Sequence, residues 1–78
     1  MFEHLREMAQ GPYPSWARDR AAMALAIAEQ YQGGGLDTSE YQELMADLVR
    51  MDRLDAEADN LELKTALVTA VYAVAQLS

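Results

Sequence analysis

The stretch "DRLDAEADNLELK", residues 52–64, joins two apolar helical patterns and decides the fold. Its acids alternate like the first three ligands of a calcium-binding loop: Asp55, Glu57 and Asp59. Such a loop also needs glycine at its sixth position and glutamate at its twelfth. This chain has Asn60 and Ala66 there, so the spacing argues against a calcium site.

A junction between two helices explains the same stretch better. Asp59 and Glu62 have the D-x-x-E spacing of a capping box, and acids are favoured at the N-terminus of a helix by its dipole. Because short connections join antiparallel helices, the sequence predicts a helical hairpin here, whose second helix covers residues 60–77.

The first helix of this hairpin has an equally specific start. Asp37 and Glu40 form a D-x-x-E pair, with Leu36 and Tyr41 at the positions of a hydrophobic staple. Apolar residues then recur at helical spacing, which predicts a helix over residues 38–58.

The N-terminal third of the chain predicts one long helix and one short one. Ser15 can cap a helix over residues 16–32, and the triple glycine at residues 33–35 ends it. Before the connector "GPYPS", an apolar residue recurs every third position, which predicts a short amphipathic arm: Phe2, Leu5 and Met8.

These patterns predict an all-α protein: a small three-helix bundle with a short N-terminal helical arm. We expect residues 1–78 to form a single domain, with residues 1–14 as arm and connector and residues 15–78 as the bundle.

The two long faces of the first long helix differ in size. One edge is bulky and consists of Trp16, Met23, Ile27 and Tyr31. Beside it runs a stripe of small residues, Ala17, Ala21, Ala24 and Ala28. Small side chains let another helix approach closely, so we expect this stripe to lie in the core.

Charged residues inside the apolar faces predict ion pairing. Asp52 and Asp55 lie in the apolar arc of the second long helix, and a buried carboxylate needs a cationic partner. Arg20 and Lys64 lie in the apolar arcs of the other two long helices. We expect one of these acids to pair with one of these bases; the alternative is a frayed helix end with solvated acids.

The last helix carries no charged side chain after Lys64. A helix at the surface normally has a charged face, so this one should be central in the bundle or covered by another chain. The predicted protein interface comprises the apolar residues of the arm and of this helix: Phe2, Leu5, Met8, Leu67, Val71, Val74 and Leu77.

Composition argues against several functions. The chain has no cysteine and one histidine, His4, and it lacks the spacing of a P-loop or a di-iron bundle. We therefore expect no catalysis, no cofactor and no metal. With thirteen acids against six bases, its net charge of −7 argues against direct nucleic-acid binding. No segment is apolar and long enough to span a membrane.

Three functions fit what remains. The first is a structural or assembly subunit that oligomerises or packs on a larger assembly. The second is an inhibitor or adaptor whose acidic surface blocks a basic or nucleic-acid-binding site of a partner protein; its candidate residues are Glu40, Glu43, Asp47, Asp52, Asp55, Glu57 and Asp59. The third is an enzyme accessory or a ligand-binding bundle with a pocket formed by Trp16, Tyr31 and methionines.

The composition is similar to that of many small phage-encoded proteins: short, acidic, free of cysteine and without a catalytic set of residues. This analogy favours a structural role, with the protein in the cytoplasm or within a virion or other assembly.

Overall fold

The computed structural model describes residues 2–50, 54, 56 and 58–76, which form an all-α bundle. Four helices have defined bounds in this part of the chain: α1 (Glu3–Gln10), α2 (Ser15–Gln32), α3 (Thr38–Leu48) and α4 (Leu61–Gln76). Leu54 and Ala56, between α3 and α4, are also helical. The predicted fold class is confirmed.

Helix α1 is an integral part of the bundle. Leu5 and Met8 are each 1% exposed and join the same hydrophobic core as the alanine stripe of α2. Phe2 packs against this core from its edge. The apolar spacing therefore correctly predicted a helix at the N-terminus, but its apolar side chains pack within their own chain.

Helix α2 begins one residue earlier than expected. Pro14 is its N-cap and provides no side-chain capping bond, and Ser15, predicted to be the cap, is the first residue of the helix. The Pro14 carbonyl accepts hydrogen bonds from the amides of Ala17 and Arg18 at 3.0 and 3.1 Å. The fixed φ of proline prepares the chain for the helix that follows.

The glycine run ends α2 as a Schellman motif. The Gly34 amide donates to the Tyr31 carbonyl at 3.1 Å, and the Gly35 amide donates to the Gln30 carbonyl at 2.9 Å. Gly34 has φ +84°, a conformation that residues with a Cβ rarely adopt. The run is therefore a helix cap of defined geometry.

Helix α3 starts as predicted. The Glu40 amide donates to Asp37 Oδ1 at 2.8 Å, and the Asp37 amide donates to Glu40 Oε1 at 3.1 Å. These reciprocal bonds complete the capping box.

Helix α3 ends at Leu48, although the sequence predicted that it continues to Ala58. Arg20 Nε of α2 donates to the Leu48 carbonyl at 2.9 Å, so a side chain occupies an acceptor that a continuing helix would use. The next two amides bond back only three residues: Val49 to Ala46 and Arg50 to Asp47. The predicted helix is therefore interrupted at residues 49–50.

Helix α4 begins at Leu61, and its cap is Asn60 rather than the predicted Asp59. Asn60 Oδ1 accepts a hydrogen bond from the Leu63 amide at 3.0 Å. Asp59 Oδ1 instead accepts from Trp16 Nε1 at 3.3 Å. Asparagine caps as well as aspartate, which leaves the Asp59 carboxylate available to tie the junction to α2.

Helix α4 packs against α1, α2 and α3, which is the central position predicted for it. Leu67, Val71 and Val74 point into the core. The Tyr41 hydroxyl of α3 donates to the Val74 carbonyl at 3.0 Å and joins the two helices by a buried hydrogen bond.

Candidate interaction surfaces

The outward side of α4 is exposed; it carries one carboxylate in its first turn, Glu62, and has no ionisable carboxylate or amine after Lys64. We call it the α4 outer face and define it by Thr65, Thr69, Tyr72, Ala73 and Gln76, all of which are exposed. Tyr72, a large aromatic residue, is 44% exposed. The bundle therefore buries the bulky side of α4 and leaves this uncharged side to the solvent.

A shallow groove borders this face where α4 meets α1. Its volume is about 470 Å³, and it is lined by small and apolar side chains with one histidine: His4, Leu5, Ala66, Thr69, Ala70, Ala73 and Val74. Because alanine and threonine line most of it, the backbone of α4 is accessible to close packing by another helix. We call it the α1/α4 groove.

The residues predicted to form a protein interface lie elsewhere. Leu5, Met8, Leu67, Val71 and Val74 are at most 5% exposed in the chain's own core. Phe2 is half-buried, and Leu77 lies outside the described residues. A partner would therefore have to contact the neighbouring exposed residues of α1 and α4.

The sequence pattern identified the apolar arc of α4 and left two alternatives for it, the centre of the bundle or a partner; its residues pack against α1, α2 and α3. The predicted interface did not include Ala66, Thr69 and Ala73, which line the α1/α4 groove. The signal for them was the spacing of the small residues Ala66, Ala70 and Ala73, which places a smooth strip along one side of α4.

The predicted acidic surface is exposed on α3. Glu40, Glu43 and Asp47 are exposed, and the helix contains no lysine or arginine. Asp47 Oδ1 accepts a hydrogen bond from Arg50 Nη2 at 2.7 Å. Asp59 is exposed at the junction with α4, and Glu57 lies outside the described residues.

Arg20, predicted to pair with an acid, bonds two backbone carbonyls. Arg20 is 8% exposed, and besides its bond to Leu48 it donates Nη1 to the Trp16 carbonyl at 3.4 Å. Lys64 is half-buried on α4. Asp52 and Asp55 lie outside the described residues, so their pairing with Arg20 or Lys64 stays a prediction.

Trp16 and Tyr31 do not share a pocket. They are fifteen positions apart on α2, which corresponds to ~22 Å along a helix axis. Trp16 donates to Asp59, whereas the Tyr31 ring stacks on the Tyr41 ring with centroids 4.2 Å apart and planes at 8°. Tyr31 also shares a 3.0 Å hydrogen bond with Thr38 Oγ1. The predicted ligand pocket is therefore absent between these two residues.

Tyr41 has a perturbed acidity. Burial raises the pKa of its hydroxyl above the usual tyrosine value, and the neighbouring Tyr31 raises this pKa further. The hydroxyl stays protonated and donates to Val74, so its chemistry is that of a structural hydrogen bond.

Two kinds of site are missing from the described part of the chain. No three His, Asp or Glu side chains there cluster so that they could bind a metal ion. None of the helices there combines the length and the apolar character needed to span a bilayer.

Comparison with protein-family models, with curated proteins and with solved structures finds no significant match. A function must therefore be argued from the surfaces of the bundle.

Proposed function

We propose that this chain is a non-enzymatic helical protein that acts through protein–protein contacts, as a subunit that self-associates through the α4 outer face and the α1/α4 groove. The observation that carries the proposal is the absence of charge from the exposed side of α4 after Lys64, in a chain where 24% of residues are charged.

Charge favours a second copy as the occupant of this face. Two copies with a net charge of −7 each repel one another, and the repulsion is smallest when uncharged faces meet. Tyr72 and the small residues beside it suit a contact between helices, since a tyrosine buries a large area and Thr69 and Ala73 allow close approach. The acids of α3 would then remain in water.

The experiment is analytical ultracentrifugation of the whole chain over a wide concentration range. We expect the wild-type protein to associate reversibly. Ala73→Glu places a carboxylate on the α4 outer face and should weaken association by about tenfold or more, the equivalent of ~1.4 kcal/mol. Ala73 is exposed, so the variant should fold, which circular dichroism checks.

Ala22→Glu is the matched control, because Ala22 is an exposed alanine in the middle of α2. It adds the same charge and should weaken association by less than about twofold. A wild-type protein that sediments as a monomer at every concentration overturns the proposal, and so does an equal effect of the two substitutions.

The acidic surface of α3 supports a second candidate function, an inhibitor or adaptor that blocks a basic site of a partner protein. The three exposed acids of a helix without bases favour it. Competition between the chain and duplex DNA for a DNA-binding protein would test it. Competition that does not weaken as NaCl is raised argues against charge mimicry.

A further inference from the structure

A second groove lies between α2 and α3, on apolar residues that the bundle leaves exposed. Its volume is about 370 Å³, and its apolar lining is Met23, Ile27, Leu44 and Leu48. Met23 is 55% exposed and Leu44 is 39% exposed, so two large hydrophobic side chains line an open groove. We call it the α2/α3 groove.

The floor of this groove is held in place by packing and hydrogen bonds. Ile27 and Leu48 are half-buried against the core, and Arg20 Nε fixes the Leu48 carbonyl at one end. The exposed rim is adaptable, because methionine has three rotatable bonds and fits varied apolar partners. A firm floor with a methionine at the rim suits a binding groove.

Carboxylates flank the groove on both walls. Asp19 lies on the α2 wall and Asp47 on the α3 wall. Among the described residues of the lining, Arg20 is the one base; it is 8% exposed and donates to two carbonyls, so little of its side chain meets the solvent. Arg50 bonds Asp47 from the end of α3, in an exposed pair of small energetic weight. Two carboxylates therefore line the groove, in a chain whose net charge of −7 favours a cationic partner over an anionic one.

We propose that the α2/α3 groove binds a cationic amphipathic helix of a partner protein, with an apolar row on Met23, Ile27, Leu44 and Leu48 and Lys or Arg flanks beside Asp19 and Asp47. An amphipathic helix places apolar residues three and four positions apart, which matches a groove between two helices. A second copy of this chain is a poor occupant, because each copy has thirteen acids and six bases. This inference does not depend on self-association.

The test uses a synthetic 18-residue peptide of Leu and Lys with its leucines on one helical face, titrated into ¹³C-methyl-labelled protein. Two further peptides are the controls: one with Glu in place of Lys, and one with the same Leu and Lys content in a scrambled order. We expect the amphipathic cationic peptide to shift the methyl signals of the α2/α3 groove and to bind about tenfold or more tightly than either control.

Two substitutions locate the site. Leu44→Ala and Met23→Ala should each weaken binding by about five- to tenfold, because each removes apolar contact area from the rim. Leu61→Ala is the matched control, since Leu61 is 73% exposed, lies at the start of α4 and is not among the residues that line the groove. It should change affinity by less than about twofold. All three positions are exposed, so the variants should fold, and thermal melts check this.

Three results overturn the inference: methyl shifts confined to α4, equal binding of the ordered and scrambled peptides, or no binding at millimolar peptide. Peptide binding in the α2/α3 groove does not require self-association. A wild-type chain that sediments as a monomer would overturn the proposed self-association but not this inference, so the two failures are distinguishable.

Discussion

Replacing Arg20 by methionine tests the bond that ends α3. Methionine has nearly the length of arginine but no donor, so Arg20→Met removes the 2.9 Å bond to the Leu48 carbonyl and the 3.4 Å bond to the Trp16 carbonyl. A hydrogen bond from a charged donor contributes ~1.5–3 kcal/mol, and the longer bond contributes less. New apolar burial of the methionine offsets a part of this loss. We expect the free energy of unfolding to fall by about 2 kcal/mol.

A loss of this size is large for so small a domain. At 0.05–0.15 kcal/mol per residue, a chain of this length has a total stability of ~4–12 kcal/mol. Urea unfolding followed by circular dichroism measures the loss directly, and a melting temperature lower by ~8–16 °C should accompany it. Arg18→Met is the matched control: Arg18 is exposed on the same helix, so its replacement should stay within ~0.5 kcal/mol.

Hydrogen exchange shows whether the loss arises at the end of α3. The amides of Val49 and Arg50 bond back to Ala46 and Asp47 at 3.3 and 3.4 Å, and we expect both amides to exchange faster in the variant. If Arg20→Met is no less stable than Arg18→Met and these two amides keep their protection, Arg20 does not hold the end of α3, and the explanation for its early termination is wrong.

Three further substitutions test the helix boundaries and the α3–α4 contact. Gly34→Ala should lower the free energy of unfolding by ~1–2 kcal/mol in urea titrations, because φ is +84°, while Gly33→Ala at φ −80° should change little. Asn60→Ala should cost ~1 kcal/mol in the same assay and Asn60→Asp almost nothing, since only the first removes the cap of α4. Burial raises the folded pKa of Tyr41, so its hydrogen bond stabilises the fold below pH ~10 and this stability is lost as pH rises through that raised pKa. At pH 7 the free energy of unfolding of Tyr41→Phe should be ~1 kcal/mol below that of the wild-type protein, and above pH 10 it should fall less steeply than that of the wild type. Urea titrations from pH 7 to 11 measure this, and equally steep curves for the two proteins contradict this account.

Helix boundaries that depend only on neighbouring residues could be predicted from the sequence. The capping box of α3 depends on Asp37 and Glu40 alone, and the end of α2 depends on consecutive glycines, so both can be recognised in a short window of sequence. The cap of α4 was off by one residue, because Asp59 and Asn60 are equally good caps and the choice depends on Trp16, 43 positions away.

Tertiary contacts explain what the sequence did not predict. The periodicity of α3 continues past Leu48, but the helix ends there, where Arg20, 28 positions earlier in the chain, bonds the Leu48 carbonyl. The apolar pattern of α1 is the same whether Leu5 and Met8 meet a partner or their own core. In this chain Leu5 and Met8 meet their own core, where they lie in one cluster with the alanine stripe of α2.

The two proposed surfaces differ in charge, and this difference gives them opposite responses to salt. Copies that meet through the α4 outer face are held apart by the repulsion of their remaining charge, −7 on each chain, and salt screens this repulsion over a Debye length of ~10 Å at 0.1 M. A cationic helix in the α2/α3 groove is attracted by Asp19 and Asp47, and the same screening weakens that attraction. Raising NaCl from 50 to 500 mM should therefore strengthen self-association and weaken binding of the cationic peptide. If both respond in the same direction, at least one of the two contacts involves a surface other than the one assigned to it.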